Sequence, residues 1–298
     1  MQWNVLELAE NGRYVKLNRG FLVVMCAEEE LGRVTIDELC CLILTAEQAT
    51  LSKPVMVRLA EEGIPIVICG KNYHPISLTL PYSAHHVSTK ILRQQIDASV
   101  PLKKRLWQML VARKIEHQAL VLENLDADEV VIKQLAKMSS KVGSGDSQNI
   151  EAQAAKVYWR AILGAEFRRN SDGEDFINAS LNYGYSIIRA ACARAVVAAG
   201  LTPSLGVYHK NQGNPFCLVD DLMEVYRPLV DFMVIKLPKN KSVTPDEKRL
   251  LAKLLQADIK TNDAMTTVTG SMQKLAFSLV KSYQVKEVGL KLPTLVFD

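Results

Sequence analysis

The chain is 298 residues long, 48% hydrophobic and 23% charged, with a formal net charge of +4. That length can bury a core in one large or two ordinary domains without disulfide or metal staples, and the composition excludes disordered, collagen-like and small secreted classes. The charge is uneven: residues 1–100 hold 9 Lys/Arg against 11 Asp/Glu and the rest hold 27 against 21, so any basic surface belongs mainly to the C-terminal two-thirds.

The first ninety or so residues read as short strands and turns. Residues 14–18 alternate and stop at Arg19-Gly20, residues 21–26 are an apolar run of strand length, and residues 32–36 lead into another at 39–44. Residues 52–62 predict a helix, with Ser52 as N-cap, Pro54 in the first turn and Gly63 as its stop. Residues 64–69 predict a buried strand, and 74–81 a last strand or extended piece. From about 88 to 137 the 3.6-residue period takes over, with Pro101 starting a new helix. A Gly/Ser-rich loop at 138–149 precedes a helix over 148–163, and a second loop at 169–175 precedes a helix over 179–199. That helix is apolar on most sides and ends at Gly200. Further helices are expected over 216–236, broken near Pro228, and over 245–256 and 263–283. The expected architecture is α+β: a small β-rich N-terminal domain over residues 1–87 and a larger all-α C-terminal domain over 88–298.

Six cysteines lack metal-ligand spacing and lie in apolar runs, which reads as buried free thiols of a reducing, cytoplasmic compartment. The first residues carry no signal-peptide pattern, and no apolar run approaches the ~20 residues of a membrane span. Neither a Walker A motif nor GxGxxG nor GxSxG occurs, which argues against nucleotide-fuelled and hydrolase-elbow chemistry.

Three positions in the helical part carry candidate chemistry. Glu151 lies early in a helix whose next turns present Ala154, Ala155 and Tyr158, so its carboxylate points where core residues point; placement for the helix dipole is the competing reading. His209 precedes a polar Asn/Gly loop. Asp220, Asp221 and Glu224 crowd one helix start, where a divalent cation would reverse their repulsion. One Glu, one His and an Asp-x-x-Glu pair on separate elements suit Mg²⁺ or Mn²⁺ and phosphodiester chemistry better than zinc. The remaining histidines read as incidental: His74 as a turn, His85-His86 as exposed, His117 as a helix-surface residue. Lys103-Lys104-Arg105, Arg113-Lys114, Arg160, Arg168 and Arg169 favour a polyanion partner. Arg189 and Arg194, inside the apolar helix, must pair with carboxylates or open onto a cleft.

The set Asn149-x-Glu151-x-x-Ala154-Ala155-x-x-Tyr158-Trp159, then Leu181-Asn182-Tyr183-Gly184-Tyr185, then Gly206-x-x-His209, then Asp221-Leu222-Met223-Glu224-x-x-Arg227-Pro228-x-x-Asp231 resembles the CRISPR-associated integrase that captures new spacers. Ala49-Thr50-Leu51-Ser52, Gly63-Ile64-Pro65-Ile66-Val67 and Lys114-Ile115-x-x-Gln118 extend the resemblance along most of the chain. The loop after His209 is most like that of the type II subtype. The resemblance implies Glu151, His209 and Glu224 as metal ligands, with Asp221 orienting or supplementing the site and Asp220 assigned no role. It implies transesterification of DNA: a 3′-hydroxyl of a short double-stranded fragment attacks the edge of a CRISPR repeat. It also implies nicking of branched DNA, a homodimer joined through the N-terminal domain, and a small CRISPR adaptation protein as partner. The alternatives are a structure-specific repair endonuclease and a non-catalytic DNA-binding scaffold.

Overall fold

A computed structural model describes residues 4–70, 75–81, 87–238 and 240–297. His74 and His85-His86 lie outside these residues. The strand-rich part comprises β1 (Asn4–Leu8), β2 (Arg13–Asn18), β3 (Phe21–Cys26), β4 (Glu29–Thr35), β5 (Leu39–Leu44), β6 (Ala49–Leu51), the helix α1 (Lys53–Glu61), β7 (Ile66–Cys69) and β8 (Pro75–Thr79). One sheet runs β4-β3-β2-β6, with β6 parallel to β2 and the other pairs antiparallel. Its β2–β3 turn is Arg19-Gly20, both at positive φ, the two-residue geometry that matches strand twist. The second sheet runs β1-β5-β7-β8, parallel except for β8.

Strand β5 explains the unbroken apolar run Leu-Cys-Cys-Leu-Ile. It has parallel neighbours on both sides and is buried on both faces, so nothing selects for alternation. Leu39 and Leu42 join a core with Val15, Leu22, Val55 and Leu59. Cys40, Cys41 and Ile43 join the larger core built by the helices. The sheet thus ties the strand-rich and helical parts through a shared interior. All six cysteines are free; four are buried, and Cys26 and Cys69 are half-buried.

The helices are α2 (Ser88–Asp97), α3 (Val100–Glu123), α4 (Glu129–Ser139), α5 (Ile150–Leu163), α6 (Phe176–Ala198), α7 (Cys217–Met223), α8 (Arg227–Lys236), α9 (Pro245–Lys253) and α10 (Val268–Val285). Helix α6 is buried along nearly its whole length and packs against α7, α8, α9 and α10. Gly200, at φ +79°, ends it. The break expected near Pro228 falls earlier, at a 3₁₀ turn over Glu224–Tyr226. Pro228 instead occupies the first turn of α8, where its missing N–H costs nothing.

The C-terminal part is not all-α. Strands β9 (Asp258–Thr261), β10 (Ala264–Thr267) and β11 (Pro293–Leu295) form a sheet in the order β10-β9-β11. Asn262 and Asp263 both take positive φ and close the β9–β10 hairpin, which replaces the first turn of the helix expected from residue 263. Among the described residues no helix is long and apolar enough to cross a membrane.

Candidate metal centre

Glu151 stands in the first turn of α5. The loop before it turns back on itself through Gly145, Asp146 and Asn149, all at positive φ. The buried Asp146 carboxylate then accepts hydrogen bonds from the Ile150 and Glu151 amides at 2.8 and 3.0 Å. It caps the helix from outside the usual N-cap position and fixes where Glu151 begins. Asp146 is not conspicuous in the sequence; its only local signal is a Gly-Asp pair before a helix.

His209 is placed by two devices. Gln95, fully buried, donates to the Thr202 and Leu205 carbonyls and accepts from the Thr202 amide, clamping the chain that leads to the histidine. Gly206 then permits a turn no larger residue could make, because a Cβ there would lie 2.4 Å from the His209 carbonyl oxygen and 2.9 Å from Asp221 Oδ2. Asp221, with no solvent exposure, accepts from the Tyr208 amide at 2.8 Å and contacts His209 Nδ1 at 2.5 Å. That contact puts the ring proton on Nδ1 and the lone pair of the neutral ring on Nε2. The hydrogen bond to Asp221 raises the histidine's pKa against the opposing effect of burial, and burial raises that of Asp221 itself. Trp107 stacks on Tyr208 with ring centroids 4.5 Å apart and meets the His209 edge at 5.4 Å, closing the other side.

Glu224 opens the 3₁₀ turn between α7 and α8 and is 7% exposed. Arg227 Nε lies 2.8 Å from its Oε1. Lys114 of α3 joins the two glutamates: its ammonium lies 2.5 Å from Glu151 Oε1 and 2.5 Å from Glu224 Oε2. Burial opposes the lysine's charge, but the two carboxylates outweigh it and raise its pKa. Glu224 is also buried, yet Arg227 and Lys114 hold its pKa below the usual carboxylate range. Among the described residues, no three His, Cys, Asp or Glu side chains form a ready-made metal cage. Two of the predicted ligands instead converge on one ammonium, while His209 is anchored on Asp221. Both oxygens of the buried Glu224 carboxylate thus face a cation, Oε1 the Arg227 guanidinium and Oε2 the Lys114 ammonium.

His209 and Glu224 line an open cleft of about 430 Å³, together with Arg169, Arg189, Arg227 and Tyr185. Arg227 and Arg169 lie over the Tyr185 ring at 4.7 and 5.4 Å. The Tyr185 hydroxyl donates to buried Asp231, whose pKa burial pushes up to about 6. Asp220, which carried no assigned role, makes a two-point pair with Arg189 at 2.6 and 3.0 Å. The paired, cleft-lining Arg189 meets its expectation. Arg194 donates to the Leu39, Cys40 and Glu62 carbonyls, tying α6 to β5 and to the end of α1. His117 is not a surface residue but 1% exposed. In the sequence Lys114 is visible only as part of a basic run and a family motif. Its bridging position depends on partners 37 and 110 positions away, which no local pattern encodes.

A sequence profile described as "CRISPR associated protein Cas1" matches residues 6–262. The chain belongs to this family. A CRISPR-associated endonuclease Cas1 of Neisseria meningitidis is 35% identical over 99% of this chain and 97% of its own length. A casposase bound to integration product superposes with a TM-score of 0.79 at 19% identity, covering 98% of this chain and 93% of that one. The Cas6-RT-Cas1–Cas2 complex superposes with a TM-score of 0.75 at 18% identity, covering 96% of this chain and 35% of that one. These two likenesses show a shared fold. Three of the four separated motifs supply residues to one cleft, Asn182 and Tyr185, His209, and Glu224 and Arg227, and the first reaches it through the Glu151–Lys114–Glu224 contact.

Proposed function

We propose that this chain is a metal-dependent DNA integrase and endonuclease of CRISPR adaptation, joining 3′-hydroxyl ends of short duplex fragments to a CRISPR repeat by transesterification. The observation that carries this reading is the convergence of Glu151 and Glu224 on a single cation beside His209, at a cleft walled by three arginines. The donors suit a hard divalent ion: two carboxylates already gathered around one positive charge, and one imidazole lone pair on Nε2. Glu151, His209 and Glu224 would hold Mg²⁺ or Mn²⁺, which neutralises charge at a phosphate and activates an attacking oxygen.

The chain's own groups do the rest. Asp221 fixes the tautomer and direction of His209 rather than facing the cation. Lys114 offsets the repulsion between the two glutamates and keeps them facing each other. Arg169, Arg189 and Arg227 present guanidinium groups to phosphate oxygens at the cleft wall. The casposase relative is named with an integration product and another with Cas2, which supports DNA and a small Cas protein as partners. A homodimer joined through residues 1–87 completes the proposed assembly.

The test is Mn²⁺-dependent strand transfer of a short duplex into a repeat-bearing plasmid. Glu151→Ala and His209→Ala should each abolish the joined product and leave duplex binding intact. Activity persisting in both variants removes the site assignment. Cleavage by the unmodified protein without any joined product favours a structure-specific repair endonuclease. DNA binding with no metal-dependent activity leaves only a scaffold.

A further inference from the structure

We propose that His117 is a positioning residue for Glu224, holding the 3₁₀ turn from behind while Lys114, one helical turn earlier, holds its side chain. Positions 114 and 117 share a face of α3. Lys114 reaches the Glu224 carboxylate. His117 Nδ1–H donates to the carbonyl of Val225, the next residue, at 2.7 Å. Helix α3 therefore grips the turn at its functional side chain and at its backbone.

The ring's other nitrogen, Nε2, accepts from the Leu295 amide of β11 at 3.4 Å. The Val225 carbonyl can only accept, so the proton lies on Nδ1 and leaves Nε2 free to accept from the strand. Burial pushes the His117 pKa down to about 3, so the ring stays neutral and both bonds persist near neutral pH. Arg113 secures the same strand, donating to the Pro293 carbonyl at 2.5 Å and the Thr294 hydroxyl at 2.6 Å. The C-terminal strand thus acts on Glu224 through one imidazole. Partners that orient a metal-binding side chain influence affinity by about 10–100-fold when removed.

This inference rests on Glu224 being a metal ligand, and the experiment separates the two claims. Mn²⁺ binding to the DNA-free protein is measured by calorimetry for the unmodified chain, Glu224→Ala, His117→Gln and His117→Asn. Asn can place an amide N–H near the Nδ1 position and keep the Val225 bond; Gln extends its amide to the Nε2 level and loses it. His117→Gln should weaken Mn²⁺ binding by about tenfold or more, and His117→Asn should restore most of it, with duplex affinity in EDTA unchanged in both. Equal Mn²⁺ affinity in His117→Gln and the unmodified chain, with binding lost in Glu224→Ala, overturns the role of His117 alone. Equal losses in the Gln and Asn variants, tracking their melting temperatures, also overturn it and leave a core staple. Binding that survives Glu224→Ala overturns the metal-site reading, and the His117 role with it.

Discussion

Two ionisable side chains of α3, the half-buried Lys114 and the buried His117, have opposite fates, and their different partners explain why. Lys114 stays charged because two carboxylates face it. His117 stays neutral because burial lowers its pKa to about 3 against the pull of the Val225 carbonyl, and the nearby Arg113 charge adds to the lowering. A histidine with a depressed folded pKa stabilises the fold above its unfolded value near 6.5, and that contribution is lost as pH falls toward 3. Between pH 7 and 5 the unfolded chain gains a proton at this position that the folded chain refuses, a loss of about 2 kcal/mol. Asp231 works the other way: its folded value near 6 means that its stabilising protonation is lost as pH rises from about 4 through 6. The two partly cancel in the unmodified chain, so the comparison must be with a variant. His117→Asn does not titrate in this range. Urea unfolding at pH 7 and pH 5 should show a stability drop on acidification that is smaller in the variant by about 2 kcal/mol. Parallel pH slopes in the two proteins would show that His117 is not the buried neutral ring described.

At the level of elements, the position of the cleft depends on how closely α8 approaches α6. Gly184 sets that distance: a Cβ there would lie 2.4 Å from Val230 Cγ1, and Val230 is fully buried. Ala would gain about 0.5–1 kcal/mol of helix preference over Gly, but overpacking of a closed contact costs about 1–3 kcal/mol, so Gly184→Ala should destabilise. Adding Val230→Ala removes the clashing methyl, and the double variant should be more stable than the sum of the single effects requires. Strict additivity in urea unfolding would show that this contact does not set the spacing. Helix α6 itself was legible because its apolar run and Gly200 stop are local signals, as were Pro101 and Gly63 at other helix ends. The β9–β10 hairpin was not, although Asn262-Asp263 is a turn pair, because strand β9 is only four residues long and is completed by β11, more than thirty residues on. The candidate acids and His209 were visible by residue type and motif. Lys114, Asp146 and His117 were not, since each draws its role from a distant contact or an unusual loop conformation.

Across the whole molecule, the candidate centre is close to self-neutralised. Glu151 and Glu224 share Lys114, Glu224 also faces Arg227, Asp220 faces Arg189, and Asp221 faces His209. The excess of 27 Lys/Arg over 21 Asp/Glu after residue 100 is therefore not consumed by these acids and remains available to a polyanion. A duplex that engages such a surface releases condensed counterions, with a log–log salt slope of about −0.9 for each phosphate neutralised. If the excess of about six charges is used in full, the slope should be about −5, and affinity should fall by about a thousandfold between 50 and 200 mM salt. The measurement is duplex binding in EDTA, so that a divalent ion at the candidate centre does not contribute. Arg189→Ala alone would confound it by freeing Asp220, so exposed lysines beyond the cleft are the better probes. Each Lys→Gln change that removes a phosphate contact should reduce the slope by about one and weaken all duplex sequences alike. A flat salt profile in the unmodified chain would exclude a phosphate-backbone interface of this size and, with it, duplex DNA as the substrate held by this surface.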